Sequence, residues 1–258
     1  MGVKRNKAAP RPPGTPLRLP IIYMLIAALV WGGGIAWGNP TDPPAATRGI
    51  IAIDPGHGGK QSGSRSPQGF LEKEICLALA RQLALLLEPD FRVILTRGDD
   101  YDLPLTERTG IANHQRADLF ISLHTAAGFV PAASGIAIYT YKPAAKGPSL
   151  DREPNDASEV ADWHLAQLPH STASRNLALL FQQQFEAMPG APAVQTAQGP
   201  LAVLAGADMP SVLIEVGYLT HAATAQRLNN PEGRSLYAQA MARAIDSFFA
   251  ARRQSSRP

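Results

Sequence analysis

Cysteine is almost absent from this 258-residue sequence: Cys76 stands alone, which excludes an intramolecular disulfide. Cys76 lies in an apolar helical pattern and reads as a small buried hydrophobe. It does not end an apolar leader, so it is no lipid-attachment cysteine. Acidic residues are missing from the first 38 positions, where Lys4, Arg5, Lys7, Arg11 and Arg18 supply five positive charges. Those five exceed the formal net charge of +3, so the remainder is slightly negative and composition gives no case for nucleic-acid binding. There is no internal repeat, no low-complexity tract, no Gly-x-Ser-x-Gly elbow and no cysteine context of the catalytic type, so nothing supports a covalent nucleophile. What is present is 45% apolar residues against 17% charged, enough for a sizeable core in one domain or at most two small ones.

The basic start leads into Leu19 to Gly38, "LPIIYMLIAALVWGGGIAWG", which carries no charge. A basic segment followed by an apolar one is an export signal. The apolar part is also about long enough to span a bilayer, so residues 1–38 read as a signal peptide or an N-terminal membrane anchor, the only membrane contact expected. Gly32 to Gly34 weaken the end of that span, and Ala36-Trp37-Gly38 has the look of a cleavage site, which favours cleavage. Either way the remainder crosses, placing it in the periplasm or cell envelope. Residues 39–48, "NPTDPPAATR", read as a linker.

Beyond the linker, short apolar runs alternate with helical periodicity. Strands are expected at Ile50 to Ile53, Phe91 to Thr96, Leu119 to His124, Gly135 to Tyr141, Leu201 to Leu204 and Ser211 to Val216. Helices are expected at Leu71 to Leu87, at Leu105 to Ala117 with Thr106 as N-cap, at Ser171 to Met188, at Ala222 to Asn229 and at Glu232 to Ala251. This alternation predicts a single α/β domain over residues 49–252, with a mostly parallel twisted sheet of about six strands and helices on both faces. Sites in such sheets lie at the carboxyl ends of strands, where His57, His124 and Glu215 would converge. Residues 143–170 are polar and Pro-rich, with one short helix expected around Asp156 to Leu168, and read as an insertion over the sheet.

The stretch "GIIAIDPGHGGKQSGS", Gly49 to Ser64, ends an apolar strand in a glycine-rich loop. It fails as a phosphate loop: Gly59-Lys60 is followed by Gln61, and the position five before Gly59 is Asp54. It fails as a dinucleotide fingerprint, because the loop runs on instead of entering a helix. A metal remains. Catalytic zinc takes three protein ligands, often two His and one carboxylate, and keeps one position for water. His57 in the loop, Glu72 opening the next helix and His124 closing a strand fit such a set, although a strand-end histidine is also a common hydrogen-bonded surface residue.

Six blocks in order, "IIAIDPGHGGKQSGS", "GFLEKEICLALARQLALLL", "VILTRGDD", "LTERTGIANHQRADLFISLHTAA", "GPLAVLAGADMPSVLIEVGYLTH" and the closing helix, resemble the zinc-dependent N-acetylmuramoyl-L-alanine amidases of the Amidase_3 type over about residues 49–250. The resemblance implies that His57, Glu72 and His124 bind Zn2+ and that Glu215 is the catalytic glutamate. It implies cleavage of the amide between N-acetylmuramic acid and the L-alanine of the peptide stem, with peptidoglycan as substrate. Two positions depart from the family: Ala126 stands where it usually has Asn or Asp, and His221 replaces an asparagine.

Each site residue also has a plainer reading. Glu72 could be a first-turn acid serving the helix dipole, with Glu74 then the alternate ligand. Glu215 could be a strand-end acid in a salt bridge. Asp54 could form the Asp-Pro turn or bond a ligand histidine. Arg97 is expected to pair with Asp99, Asp100 or Asp102, or with a stem carboxylate; His114, His164 and His170 read as surface residues, and Trp163 as packing. The insertion carries Glu153, Asp156 and Glu159, any of which could cover the open metal position as a lid. An exported zinc peptidase of another kind, or a catalytically silent peptidoglycan-binding module, are the competing functions. With no separate wall-binding module visible, targeting would fall to the leader, a protein activator or the domain surface.

Overall fold

The computed structural model describes residues 47–130, 132–144 and 165–255, all within one structural unit. The leader, most of the linker and most of the 143–170 segment, including Glu153, Asp156, Glu159, Trp163 and His164, lie outside the described residues. Among the described residues no helix is long and apolar enough to cross a membrane.

Six strands form one sheet: β1 (Ile50–Pro55), β2 (Arg92–Leu95), β3 (Leu119–Ala126), β4 (Ile136–Tyr141), β5 (Val194–Gly199) and β6 (Ser211–Tyr218), in the order β2-β1-β3-β6-β4-β5. Four of them, β2, β1, β3 and β6, are mutually parallel. β4 runs antiparallel to β6, and β5 parallel to β4. The helices are α1 (Glu72–Leu87), α2 (Leu105–His114), α3 (Ser171–Glu186), the single turn α4 (Ala202–Ala205), α5 (Ala222–Asn229) and α6 (Pro231–Ser255).

Side chains alternate across a strand, so each strand feeds two cores. Ile51, Ile53, Leu119, Ile121, Leu123, Val212 and Ile214 face the larger one, closed by Leu79 and Leu83 of α1, Phe181 and Phe185 of α3, and Met241 and Ile245 of α6. Ala52, Phe120 and Leu213 face the smaller one, with Ala112 of α2 and Val203 and Leu204 of α4. The same alternation puts Asp54, Ser122, His124, Glu215 and Tyr139 on the face of the smaller core, toward the carboxyl ends of β1, β3 and β6.

Two expectations change. Leu201 to Leu204 is not a strand; its residues form α4, and the sixth strand is β5, whose "VQTAQG" is largely exposed. A four-residue apolar run does not distinguish a buried strand from a helical turn. Thr106 does not cap α2: the N-cap position is Pro104, without a side-chain bond. Antiparallel β4 carries the chain away from the carboxyl-end rim. Tyr139 pairs with Leu213, so Tyr141 approaches the start of β6, and Lys142 N bonds Gly199 O there. The other described flank of the 143–170 segment returns to the same edge. Buried Gln167 donates from Nε2 to the carbonyls of Ala207 (2.9 Å) and Met209 (2.7 Å), just before β6 begins, and its Oε1 accepts from Ser174 Oγ. A 3-10 turn, Leu168–His170, then leads into α3.

Candidate metal centre

Three element ends build the centre. β1 continues through Pro55, and Gly56 N bonds Leu123 O, which brings the loop directly beside His124. A Cβ on Gly56 would collide with the His124 imidazole, so only glycine fits. His57 then takes a left-handed conformation (φ 58°), uncommon for a bulky residue. At the far end of the loop, Gly63 is also left-handed, and a Cβ there would lie 2.5 Å from Glu72 Oε2 and 2.7 Å from the His57 ring.

The start of α1 is satisfied by this loop rather than by a side-chain cap. Glu72 N donates to Ser64 O (2.9 Å) and Lys73 N to Ser62 O (3.2 Å), using N–H groups a helix end leaves free. Ser64 N returns a bond to Glu72 Oε2 at 2.7 Å. Glu72 is therefore pinned, 3% exposed, and its Oε1 accepts from Thr125 N at 2.9 Å. On that same Oε1 converge His124 Nδ1 at 3.0 Å and His57 Nε2 at 3.2 Å. The ligand atoms of His57, Glu72 and His124 all lie within 4.8 Å of one another. Tetrahedral zinc ligands at about 2.0–2.2 Å sit roughly 3.3 Å apart, so the donor set and spacing fit such an ion. Among the described residues no other group of three His, Cys, Asp or Glu side chains converges this way. Glu74 is exposed on the outer side of α1 and takes no part.

Burial would raise the pKa of Glu72, but the bonds from His124, His57, Ser64 N and Thr125 N outweigh it and hold the carboxyl well below the usual range. Glu215 behaves oppositely. It is Cα-paired with His124 across β3 and β6, and burial pushes its pKa up. Nearby His124 and the bond from Tyr139 offset part of that, while the charge of Glu72 adds to it. Tyr139 Oη donates to Glu215 Oε2 at 3.4 Å, so a second strand orients the carboxylate. The arrangement thus offers one carboxylate stabilised in its ionised form between two imidazoles, beside a second whose pKa burial raises.

Other residues have different roles from those expected. Asp54 bonds neither histidine: it is fully buried, with Oδ1 accepting from Thr96 Oγ1 (2.5 Å) and Arg108 Nη1 (2.8 Å) and Oδ2 from Ser122 Oγ (2.7 Å). Arg97 pairs with none of Asp99, Asp100 or Asp102; it is buried on main-chain carbonyls. Ser64 and Tyr139 were not singled out by sequence; the period-2 alternation of β4 beside β6 was the available signal for Tyr139. His221 caps α5, its Nδ1 accepting from Thr224 N at 3.3 Å, and His170 meets Asp208 at 3.1 Å.

The N-acetylmuramoyl-L-alanine amidase family, Amidase_3, matches residues 51–247. The chain is 29% identical to N-acetylmuramoyl-L-alanine amidase AmiC of Neisseria meningitidis over 82% of its own length and 56% of that protein's. It thus spans little more than half of that relative. It is 29% identical to amidase AmiA of Escherichia coli over 78% of this chain and 76% of that one. Among solved structures, the catalytic domain of CwlV, an N-acetylmuramoyl-L-alanine amidase from Paenibacillus polymyxa, superposes with a TM-score of 0.64 at 26% identity, covering 78% of this chain and 98% of that domain.

Proposed function

Because the chain belongs to the N-acetylmuramoyl-L-alanine amidase family, we propose that it hydrolyses the amide bond between the lactyl group of N-acetylmuramic acid and the L-alanine that begins the peptide stem of peptidoglycan. His57 Nε2, Glu72 Oε1 and His124 Nδ1 hold a zinc ion, and Glu215 is the catalytic acid–base. The observation that carries this reading is the meeting of two imidazole nitrogens on one carboxylate oxygen at 3.0 and 3.2 Å, with Glu215 paired to His124 on the neighbouring strand.

When bound in a site of three protein ligands, zinc supplies Lewis acidity, polarising a carbonyl and lowering the pKa of water toward about 7. The chain's own residues do the rest. Glu215 accepts a proton from the attacking water at its carboxylate and delivers it to the nitrogen of the departing L-alanine, a role typically worth roughly 10²–10⁴-fold. Its raised pKa suits the first half of that task, since a carboxylate of higher pKa is a stronger base toward the attacking water, and once protonated it remains acidic enough to pass the proton to the more basic amine. Tyr139 holds the carboxylate in place. Glu72, bonded on both oxygens, keeps the two histidines facing one point. The enzyme works outside the cytoplasmic membrane, in the cell envelope where its substrate lies, delivered by residues 1–38.

The test is product analysis of peptidoglycan digested with and without a chelator. Free stem peptides with an L-alanine amino terminus, formed by the zinc-loaded protein and lost on chelation, are the expected result. Cleavage of glycan strands, or within the stem peptide, would overturn the assignment.

A further inference from the structure

Two arginines are buried beside the ligand loop, and they are compensated differently. Arg108 has a counter-ion: its Nη1 lies 2.8 Å from Asp54 Oδ1. Arg97, 1% exposed, forms no ion pair with any carboxylate among the described residues. The acids around it are engaged elsewhere, Asp54 with Arg108, Asp99 with Arg81 and Asp100 with Lys73. Arg97 instead spends its guanidinium on carbonyls. Nε donates to Pro55 O at 2.9 Å and Nη1 to Asp99 O at 3.1 Å; Nη2 donates both to Gly56 O at 2.8 Å and to Lys73 O at 2.9 Å.

Burying a charge without a counter-ion is costly, and an apolar side chain of similar volume commonly stabilises a fold as well or better. The cation must therefore do something a hydrophobe cannot. Gly56 immediately precedes His57, and Lys73 immediately follows Glu72. One nitrogen of Arg97 thus ties the carbonyl before one ligand to the carbonyl after another, joining the loop of β1 to the first turn of α1. We propose that Arg97 is a positioning residue that sets the His57–Glu72 separation, so that the metal centre is built before any cation enters it. The planar fork matters here, because an ammonium is a point charge that does not reproduce four fixed directions.

This inference rests on the zinc reading above. It also makes a prediction of definite sign. A positive charge near a cation opposes its binding, so if charge were the relevant property, removing it would tighten zinc binding. If geometry is the relevant property, removing the fork weakens it.

The experiment measures zinc affinity of the full chain by competition with a chromophoric chelator for wild type, R97Q, R97K and R92Q, with thermal unfolding followed in the presence and absence of zinc. Arg92 is exposed and bonds Gln115, away from the loop, and serves as the control. R97Q and R97K are expected to bind zinc at least about tenfold more weakly, the scale typical of residues that orient metal ligands, and to gain less in melting temperature from zinc than wild type does. R92Q is expected to match wild type. Tighter or unchanged affinity in R97Q, with melting lowered equally with and without zinc, would overturn the positioning role. Should R97Q fail to fold, R97K decides: wild-type affinity there overturns the proposal and weakened affinity supports it. A wild-type protein that binds no zinc would sink the metal reading itself.

Discussion

The parallel half of the sheet and its antiparallel flank are built from similar strands, yet they serve different ends. In the half formed by β2, β1, β3 and β6, carboxyl ends share one rim, and the chain turns there into His57, His124 and, near the end of β6, Glu215. In the flank formed by β4 and β5 the direction reverses, so the same ends lie at the opposite edge. That edge holds a buried structural knot, Gln167 with Ser174 and the carbonyls of Ala207 and Met209. The flank meets the rim at the start of β4, where Ala137 pairs with Glu215, and Tyr139 two residues on bonds the Glu215 carboxylate. Strand direction, more than strand composition, decides which side chains can meet.

Substitutions on either side test this contrast. The largest effect is expected from His124→Ala on the rim, which removes one of the three proposed ligands; metal retention by elemental analysis should fall to background and amidase activity with it. Glu215→Gln should come next, losing roughly 10²–10⁴-fold in turnover while keeping its metal content, because the acid–base is lost and the ligands are not. Gln167→Ala, in the knot, should reverse the pattern. Leaving buried partners unsatisfied costs about 1–3 kcal/mol in unfolding free energy, read by denaturant melts, with kcat/KM on soluble muropeptides unchanged. An activity loss there as large as the stability loss would erase the distinction between the two edges.

The smallest effect tests the link between them. A protonated Glu215 cannot accept a proton, so activity falls as pH drops through its pKa, which burial has raised above the ordinary value. Tyr139 donates to the carboxylate and lowers that pKa. Tyr139→Phe should therefore move the acid limb of the kcat profile to higher pH, with little change at alkaline pH. A profile that stays put, or moves down, would mean that the 3.4 Å contact has no bearing on the proton.

Much of the parallel half was legible in the sequence because its strands are continuous apolar runs, the pattern of a strand buried on both faces, and β1, β2 and β6 each lead through a turn into a helix. The meeting of His57, Glu72 and His124 was legible because His57 and His124 interrupt or end apolar runs at such turns. The flank was harder to read. β5 has only Val194 and Ala197 to offer in "VQTAQG" and is largely exposed at the sheet edge, so no alternation marks it. The apolar "LAVL" beside it drew the strand assignment instead and proved to be a helical turn. The reversal of β4 is invisible locally, since strand direction is fixed by the connections and not by the residues of the strand. Arg97 was misread for a related reason: "TRGDD" suggests a surface ion pair, and only the packing of α1 over the loop buries it.

Both described flanks of the segment between Lys142 and Gln167 are fastened at the edge farthest from the ligand rim. For protein engineering this marks a seam: cargo spliced between those two anchors, such as a carbohydrate-recognition module or a fluorescent reporter, starts and ends on the side of the molecule that the chemistry does not use.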